Sequence, residues 1–388
     1  MKDSDTGETA PAGGRHLIRH GPSRRWMIVF CALLAVSVAG ALALTYAGIK
    51  TVRASRAGQA VSTVTDPAAP GFEAFLEPTP TLAILHRDGK HVRSIAVVSL
   101  NSGDVGGSLL LVSPHTYGDE GDPATFGGAA AFSGQPEATL SPLQPGLGFG
   151  ITEFVLVDDA RWTEVVGPVS PLQVDNPSAV AGFPAGRITL PAEQVGAYLA
   201  ATNPGESPRE SVLRQRAFYR AWLDAVAASG DVVAAVPGEV DSGLGRFMRG
   251  LAAGPHRVET APVVEKLFHG FYRTDMDATA MAALVPELVP FPTAGEPGGR
   301  VRVRLLDGSG DAKHVQRVAP LVIPADAEIV VVGNADAFDY QETEIRYHNP
   351  LAKAAARTFQ DALGAGRLVD DPRQTDTFDV TIVLGTDI

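Results

Sequence analysis

The stretch "LLLVSPHTYG", Leu109 to Gly118, is an apolar run that stops at Pro114 and hands over to His115 and Thr116. A strand that ends this way places polar side chains at the rim of a sheet, where a reactive or binding group belongs. His115 reads either as an imidazolium that binds an anion or as an ordinary hydrogen-bonded turn residue. Arg214, in "ESVLRQR", reads either as an anion ligand or as a solvated helix arginine. Just past the strand, Asp119, Glu120 and Asp122 crowd a turn. They lack the ligand spacing and central glycine of a calcium loop, so a solvated turn is expected. His86 and His91 flank an Asp-Gly turn without a third zinc ligand. No phosphate-cradling glycine loop, nucleophile elbow or zincin helix occurs. The sequence therefore assigns no catalytic residue and no metal.

These groups sit in a chain of 388 residues with a formal charge of -12, 41 Gly, 29 Pro and 45% hydrophobic residues. Such a length and composition suit two ordinary domains joined by irregular loops. Residues 1–25 carry five Lys/Arg and three Asp/Glu, which leaves the remainder near -14. A nucleic-acid partner is not indicated. The single cysteine, Cys31, rules out an intramolecular disulfide.

Trp26 to Ile49 holds 24 uncharged residues, enough for a helix to cross a hydrocarbon core of about 30 Å with some tilt. Arginines 15, 19, 24 and 25 precede it, and Lys50, Arg53 and Arg56 follow. The expectation is an uncleaved single-pass anchor in the cytoplasmic membrane, with the N-terminus cytoplasmic and the C-terminal domains extracytoplasmic. Residues 1–25 read as a disordered cytoplasmic tail, and residues 50–72 as a tether.

Beyond the tether, "TLAILHRDG", "SIAVVSL" and "SLLLVSP" predict three neighbouring strands, followed by a loose Gly/Ala/Ser/Pro stretch. Phe154–Val157 predicts a strand and Asp159–Val166 a short helix; "GRITLPAEQVGAYLAAT" predicts a turn, a strand and a helix opened by Pro191. In "ESVLRQRAFYRAWLDAVAAS", Val212, Ala217, Phe218, Trp222, Ala225 and Val226 follow helical spacing, with Arg214, Arg216, Arg220 and Asp224 off that stripe. Residues 258–290 predict a further helical stretch, clearest from Thr279 to Leu288. "PFPTAGEPGG" then predicts a linker, residues 291–300, across which two modules fold separately. Residues 301–388 predict strand, helix (Ala312–Leu321), strand, short strand, helix (Leu351–Leu363) and strand, an α/β unit with one sheet face covered.

The segments "VRVRLLDGSG", "VVVGNAD", "TEIRYHNP", "AAARTFQDALGAG" and "DVTIVLGTD" make residues 301–388 similar to the LytR C-terminal domain of actinobacterial envelope proteins. Residues 73–290 resemble the LytR-CpsA-Psr fold in layout more than in letters. That resemblance implies an α/β sandwich domain followed by a small α/β C-terminal domain. It also implies phosphotransfer of an undecaprenyl-linked glycopolymer onto peptidoglycan, with arginines neutralising a lipid pyrophosphate and aspartates holding Mg²⁺. Both demands are physical: permanently charged forks suit phosphates, and hard carboxylates suit Mg²⁺. Against the family's Ser-Ile-Pro-Arg-Asp-Thr strand end, this chain keeps Ser113, Pro114 and Thr116 but offers His115 for the Arg-Asp pair. Ala200, Ala201 and Thr202 stand where arginines are expected. Arg214 and Gln215 remain, preceded by Ser211, and Arg93 and Ser94 lack the expected aspartate. The resemblance thus leaves Arg214, Gln215, His115 and Arg93 as candidate ligand-binding residues. The reading is an envelope module that has lost transfer chemistry and binds or scaffolds cell-wall glycopolymer or a polyprenyl phosphate lipid without a cofactor. The alternative is an active phosphotransferase that draws its charges from Arg93, His115 and Arg214 and uses Mg²⁺.

Overall fold

The computed structural model describes residues 64–119, 121–268, 271–311, 313–372 and 377–388. The expected tail, membrane helix and first part of the tether lie outside them. Among the described residues no helix is long and apolar enough to cross a membrane.

After β1 (Glu73–Phe75), the chain forms β2 (Thr81–Asp88), β3 (His91–Leu100) and β4 (Gly107–Val112), an antiparallel meander. Two helices follow in the stretch expected to be loose, α1 (Phe126–Ser133) and α2 (Leu140–Leu147). Thr125 caps the first, accepting from Gly128 N at 3.0 Å. β5 (Glu153–Val157) and α3 (Asp159–Val166) come next, then the hairpin β6 (Leu172–Asn176) and β7 (Gly186–Leu190). They lead to α4 (Val195–Ala200), the long α5 (Pro208–Ala228) and α6 (Gly243–Ala252).

The helical stretch expected from residue 258 is instead three strands, β8 (His256–Thr260), β9 (Val263–Phe268) and β10 (Phe271–Met276). Val258, Thr260, Val263, Val264 and Thr274 are β-branched and favour a pleated surface. Helix begins only at α7 (Ala278–Leu288), where Asp277 accepts from Ala280 N at 3.0 Å.

The first sheet runs in the order β5-β2-β3-β4-β8. Its central strands are apolar at consecutive positions because both faces are covered. Leu82, Ile84, Ala96, Val98, Leu109 and Leu111 face a core filled by Trp162, Phe218, Trp222 and Phe247. Trp162 meets Phe218 and Trp222 edge-on at 5.6 and 5.8 Å between centroids. Ala83, Leu85, Ile95, Val97, Leu110 and Val112 alternate with them and face a second core.

The C-terminal module contains β11 (Val301–Asp307), α8 (His314–Val322), β12 (Ala327–Asn334), β13 (Glu344–Tyr347), α9 (Lys353–Leu363), β14 (Arg367–Asp370) and β15 (Val380–Leu384). Its sheet order is β1-β12-β11-β15-β13-β14, so the strand upstream of the first sheet pairs antiparallel with β12. The approach is close: a Cβ on Gly333 would stand 2.0 Å from the Phe72 carbonyl oxygen. The described end of the expected tether is bound here too. Gly71 N donates to Ala335 O at 2.7 Å, and Asn334 Nδ2 donates to Pro67 O and Ala69 O at 2.9 and 2.8 Å.

The second core is continuous across both modules. Leu110, Phe126, Met281 and Val285 share it with Val303, Val318, Ile329 and Phe359. Residues of the expected linker are tied down on both sides. Thr79 N donates to Phe291 O at 2.9 Å, and Ala294 N donates to the Glu328 carboxylate at 3.0 Å. Buried Arg300 donates to the carbonyls of Gly148, Ile323 and Ala327 at 2.7, 3.0 and 3.0 Å.

Candidate functional site

The four residues singled out from the sequence fall in two places. Arg93 is the extra residue of a β-bulge: His86 pairs with Ser94 and Arg87 with Val92, so Arg93 has no partner across the ladder. Its guanidinium is exposed and donates to Asp88 at 2.8 Å. His115 is also exposed, just past β4, yet partial desolvation and then the Arg93 charge hold its imidazole below the usual value of 6.5. An imidazole biased to the neutral form is a poor anion ligand near neutral pH.

Arg214, expected on a solvated face, is 1% exposed. Its Nη1 donates to Ser178 Oγ at 3.2 Å and to Glu206 Oε1. Its Nη2 donates to Ala201 O and Glu206 Oε2, each at 2.9 Å. Four of its five N–H donors are thereby used, and the fifth, on Nε, is buried. Burial pushes the Glu206 carboxyl up, but the Arg214 hydrogen bonds, the Asn203 amide and the Arg214 charge outweigh it and leave the carboxyl below 4.5. Gln215 is buried beside this pair and donates to Leu199 O at 3.3 Å.

The remaining candidates are structural. His86 is fully buried with Nε2 3.0 Å from Asp159 Oδ1, whereas His91 is exposed. Asp122 accepts the Asp119 N–H at 2.8 Å, and Arg273 donates to the backbone carbonyls of Asp119 and Asp122 while lying 3.8 Å from the Tyr117 ring centroid. The acidic turn is thus organised by an arginine.

A cavity of about 250 Å³ opens where β4 ends. It is lined by Leu111, Ser113 and Thr116 at the strand end, by Pro208, Arg209 and Val212 of α5, and by Thr260 to Val263. Ser113 and Thr116 are 4% and 0% exposed. Ser113 Oγ accepts the His115 N–H at 3.2 Å, leaving its own proton to donate. Thr116 Oγ1 has no hydrogen-bond partner, an arrangement that costs free energy unless something else fills it. The α5 side begins at that helix's first turn, fixed by a capping box in which Ser207 Oγ accepts from Glu210 N and Glu210 accepts from Ser207 N.

Arg209 is exposed there and makes no ion pair among the described residues. Sequence reasoning missed it, although Ser-Pro-Arg-Glu with proline at the first helical position marks a helix start at residue 208. None of the residues lining this cavity is a carboxylate. Among the described residues no three His, Cys, Asp or Glu side chains converge to hold a metal. The donor set does not fit Mg²⁺.

Residues 300–387 match the family model described as LytR cell envelope-related transcriptional attenuator. The C-terminal module is LytR_C-like. No curated protein matches the chain. Among solved structures, Bacillus subtilis TagT is 15% identical, with 59% of this chain and 95% of that one covered at a TM-score of 0.42. Bacillus subtilis TagV is 17% identical, with 53% and 94% covered at 0.42. The LytR-CPS2A-psr family protein YwtF (TagT) with bound octaprenyl pyrophosphate lipid is 14% identical, with 60% and 96% covered at 0.41. The three cover between 53% and 60% of this chain.

Proposed function

We propose that this chain is a single-pass, membrane-anchored cell-envelope protein whose extracytoplasmic middle domain binds or scaffolds cell-wall glycopolymer or a polyprenyl phosphate lipid without transferring it. The observation that carries the non-catalytic reading is the state of Arg214. Four of its five donors are committed to Glu206, Ser178 and Ala201, and the fifth, on Nε, is enclosed by protein, so the guanidinium is poorly placed to stabilise charge developing on a transferred phosphate. His115, held towards the neutral form, does not replace it, and the cavity beside it has no carboxylate for Mg²⁺. The envelope reading rests on the LytR_C-like module and on the apolar segment Trp26–Ile49 with its basic flanks.

The test is transfer from an undecaprenyl-pyrophosphate-linked polymer by the purified full chain with Mg²⁺. No polymer transfer and no pyrophosphate cleavage are expected, alongside retention of the chain on isolated cell-wall polymer or prenyl phosphate vesicles. Turnover abolished in a folded Arg214→Lys variant would establish the phosphotransferase alternative. For topology, an alkaline phosphatase fusion after residue 60 is expected to be active in intact bacteria. An inactive fusion with an active cytoplasmic reporter at the same point would overturn the extracytoplasmic placement.

A further inference from the structure

We infer that a second cavity, at the opposite end of β4 where the β3–β4 turn meets α6 and the segments flanking the first sheet, is a subsite for an uncharged sugar. It measures about 550 Å³, within the range of pockets that enclose small ligands, with room for about two pyranose rings. β4 is six residues long, so at about 3.3 Å each this site lies roughly 20 Å from the cavity at the strand's other end. Arg246 of α6 and Asp104 of the turn form its polar centre. Arg246 Nε and Nη2 donate to the Asp104 carboxylate at 2.8 and 3.0 Å, and Nη1 donates to Glu153 at 3.4 Å. That leaves one N–H on each terminal nitrogen of a side chain that is 22% exposed, and further lone pairs on a carboxylate that is 42% exposed. The turn that carries Asp104 is fixed in place. Asp104 holds φ at 57°, a left-handed conformation that few residues with a side chain adopt, and Gly106 N donates to Gly250 O of α6 at 2.8 Å.

Charge and backbone narrow the ligand. The Arg246 charge is already matched by Asp104 and Glu153, and Glu77, which also lines the cavity, is exposed and makes no ion pair among the described residues, so an anionic group is repelled. Both Asp104 oxygens are bound to Arg246, so no cluster of free carboxylates invites a cation. An extended peptide finds no ladder to join. The N–H groups of Thr79, Leu100, Asn101, Asp104 and Phe291 are bonded within the protein, and Pro78, Pro80 and Pro290 have none. Recognition therefore falls to side chains. The guanidinium and the carboxylate stand side by side as donor and acceptor, the arrangement that adjacent hydroxyls of a sugar satisfy, one accepting from the first and the other donating to the second. Asn101 and Ser102, both exposed, add an amide carbonyl and a hydroxyl that bond to nothing else among the described residues. Pro80 and Phe291, each half-buried, offer rigid apolar surface to the C–H face of a ring. The inference deepens the glycopolymer side of the binding reading above and rests on it only for the source of the sugar.

The test is saturation-transfer NMR on the full chain in a detergent without a sugar headgroup. The probes are glucose, galactose, mannose and N-acetylglucosamine, the 6-phosphate of each as the anionic arm, and a proline-rich peptide as the extended-chain arm. At least one neutral sugar is expected to bind, and its 6-phosphate about tenfold more weakly or not at all. Asp104→Gly removes the carboxylate at a position where glycine accepts the left-handed backbone, so the chain stays folded while sugar binding weakens about tenfold or more. Asn101→Ala, at an exposed position, should weaken it about threefold or more. Arg209→Ala, at the other end of β4, should leave it unchanged. Binding by none of the sugars, equal or tighter binding of the phosphates, binding of the peptide alone, or sugar binding unchanged in folded Asp104→Gly would each overturn the subsite, as would loss of sugar binding in Arg209→Ala. Retention on prenyl phosphate vesicles reads the binding function separately and does not pass through Asp104, so either can fail alone.

Discussion

Arg214 and Glu206 illustrate how one charged pair changes role with its surroundings. Removing one partner of a buried ion pair strands the other, so Glu206→Ala should lower stability by about 3–5 kcal/mol in denaturant titrations. The double variant Glu206→Leu/Arg214→Met should recover most of that loss, which separates a packing role from a ligand role. The pair also sets an acid limit. Because the native Glu206 carboxyl lies below 4.5, its contribution is fully present above that pH and is lost as pH falls through the native value. His86 acts higher: burial lowers its imidazole below 6.5, against the opposing Asp159 hydrogen bond. The unfolded chain then takes up the proton first, and stability drops as pH falls from 6.5. The melting temperature should decline as pH falls below 6.5 and fall further below 4.5. His86→Gln should flatten the first decline, and a melt series by circular dichroism checks it. Arg214 and Gln215 were legible in the sequence as residues worth noting. Their burial was not, because hydropathy periodicity treats every charge as solvent-facing. The cancelling carboxylate comes from a loop eight positions upstream with no periodic relation to the helix.

The elements that could be read were those whose local signals agree. The strands β2 to β4, the helix α3 and the body of α5 have clear apolar patterns bounded by turns or caps. The start of α5 is set by Ser207, and Ser207→Ala should cost about 1 kcal/mol with a frayed first turn, visible as faster amide exchange at residues 209–211. What escaped reading was structure written in glycine and proline. α6 carries "GLGRFMRGLA", where a Cβ on Gly250 would stand 2.7 Å from the Asp104 carbonyl oxygen. A residue chosen for close approach looks, in sequence, like a helix breaker. The short strand β1 was equally hidden, since three residues carry no measurable periodicity and their partner lies some 258 positions away. Gly333→Val should push Phe72 off β12 and release the Glu73–Phe75 amides to exchange, with smaller changes in the meander.

At the scale of the molecule, the expected division at a proline- and glycine-rich linker gives way to one shared core. Described residues of both modules fall in a single compact unit, and Arg300 binds carbonyls from each side. Thermal unfolding should show one transition for both modules, and Arg300→Ala should cost about 2–4 kcal/mol of stability through lost charge-assisted bonds and three carbonyls left short. Two calorimetric peaks in the parent chain would contradict this. The same connectivity has a mechanical side. β1 enters the C-terminal sheet before the chain departs to build the first sheet, and Glu73 is held there by Arg304, with Nε to Oε2 at 3.1 Å. The far end is held there as well, with Asp387 Oδ1 accepting from Thr343 N at 2.9 Å. Pulling on the chain upstream of residue 64 against its C-terminus therefore loads β1, β12, β11 and β15 in series. Residues 76–299, with the cavity at the end of β4, hang outside the line of force and keep their shape until the β1–β12 seam shears.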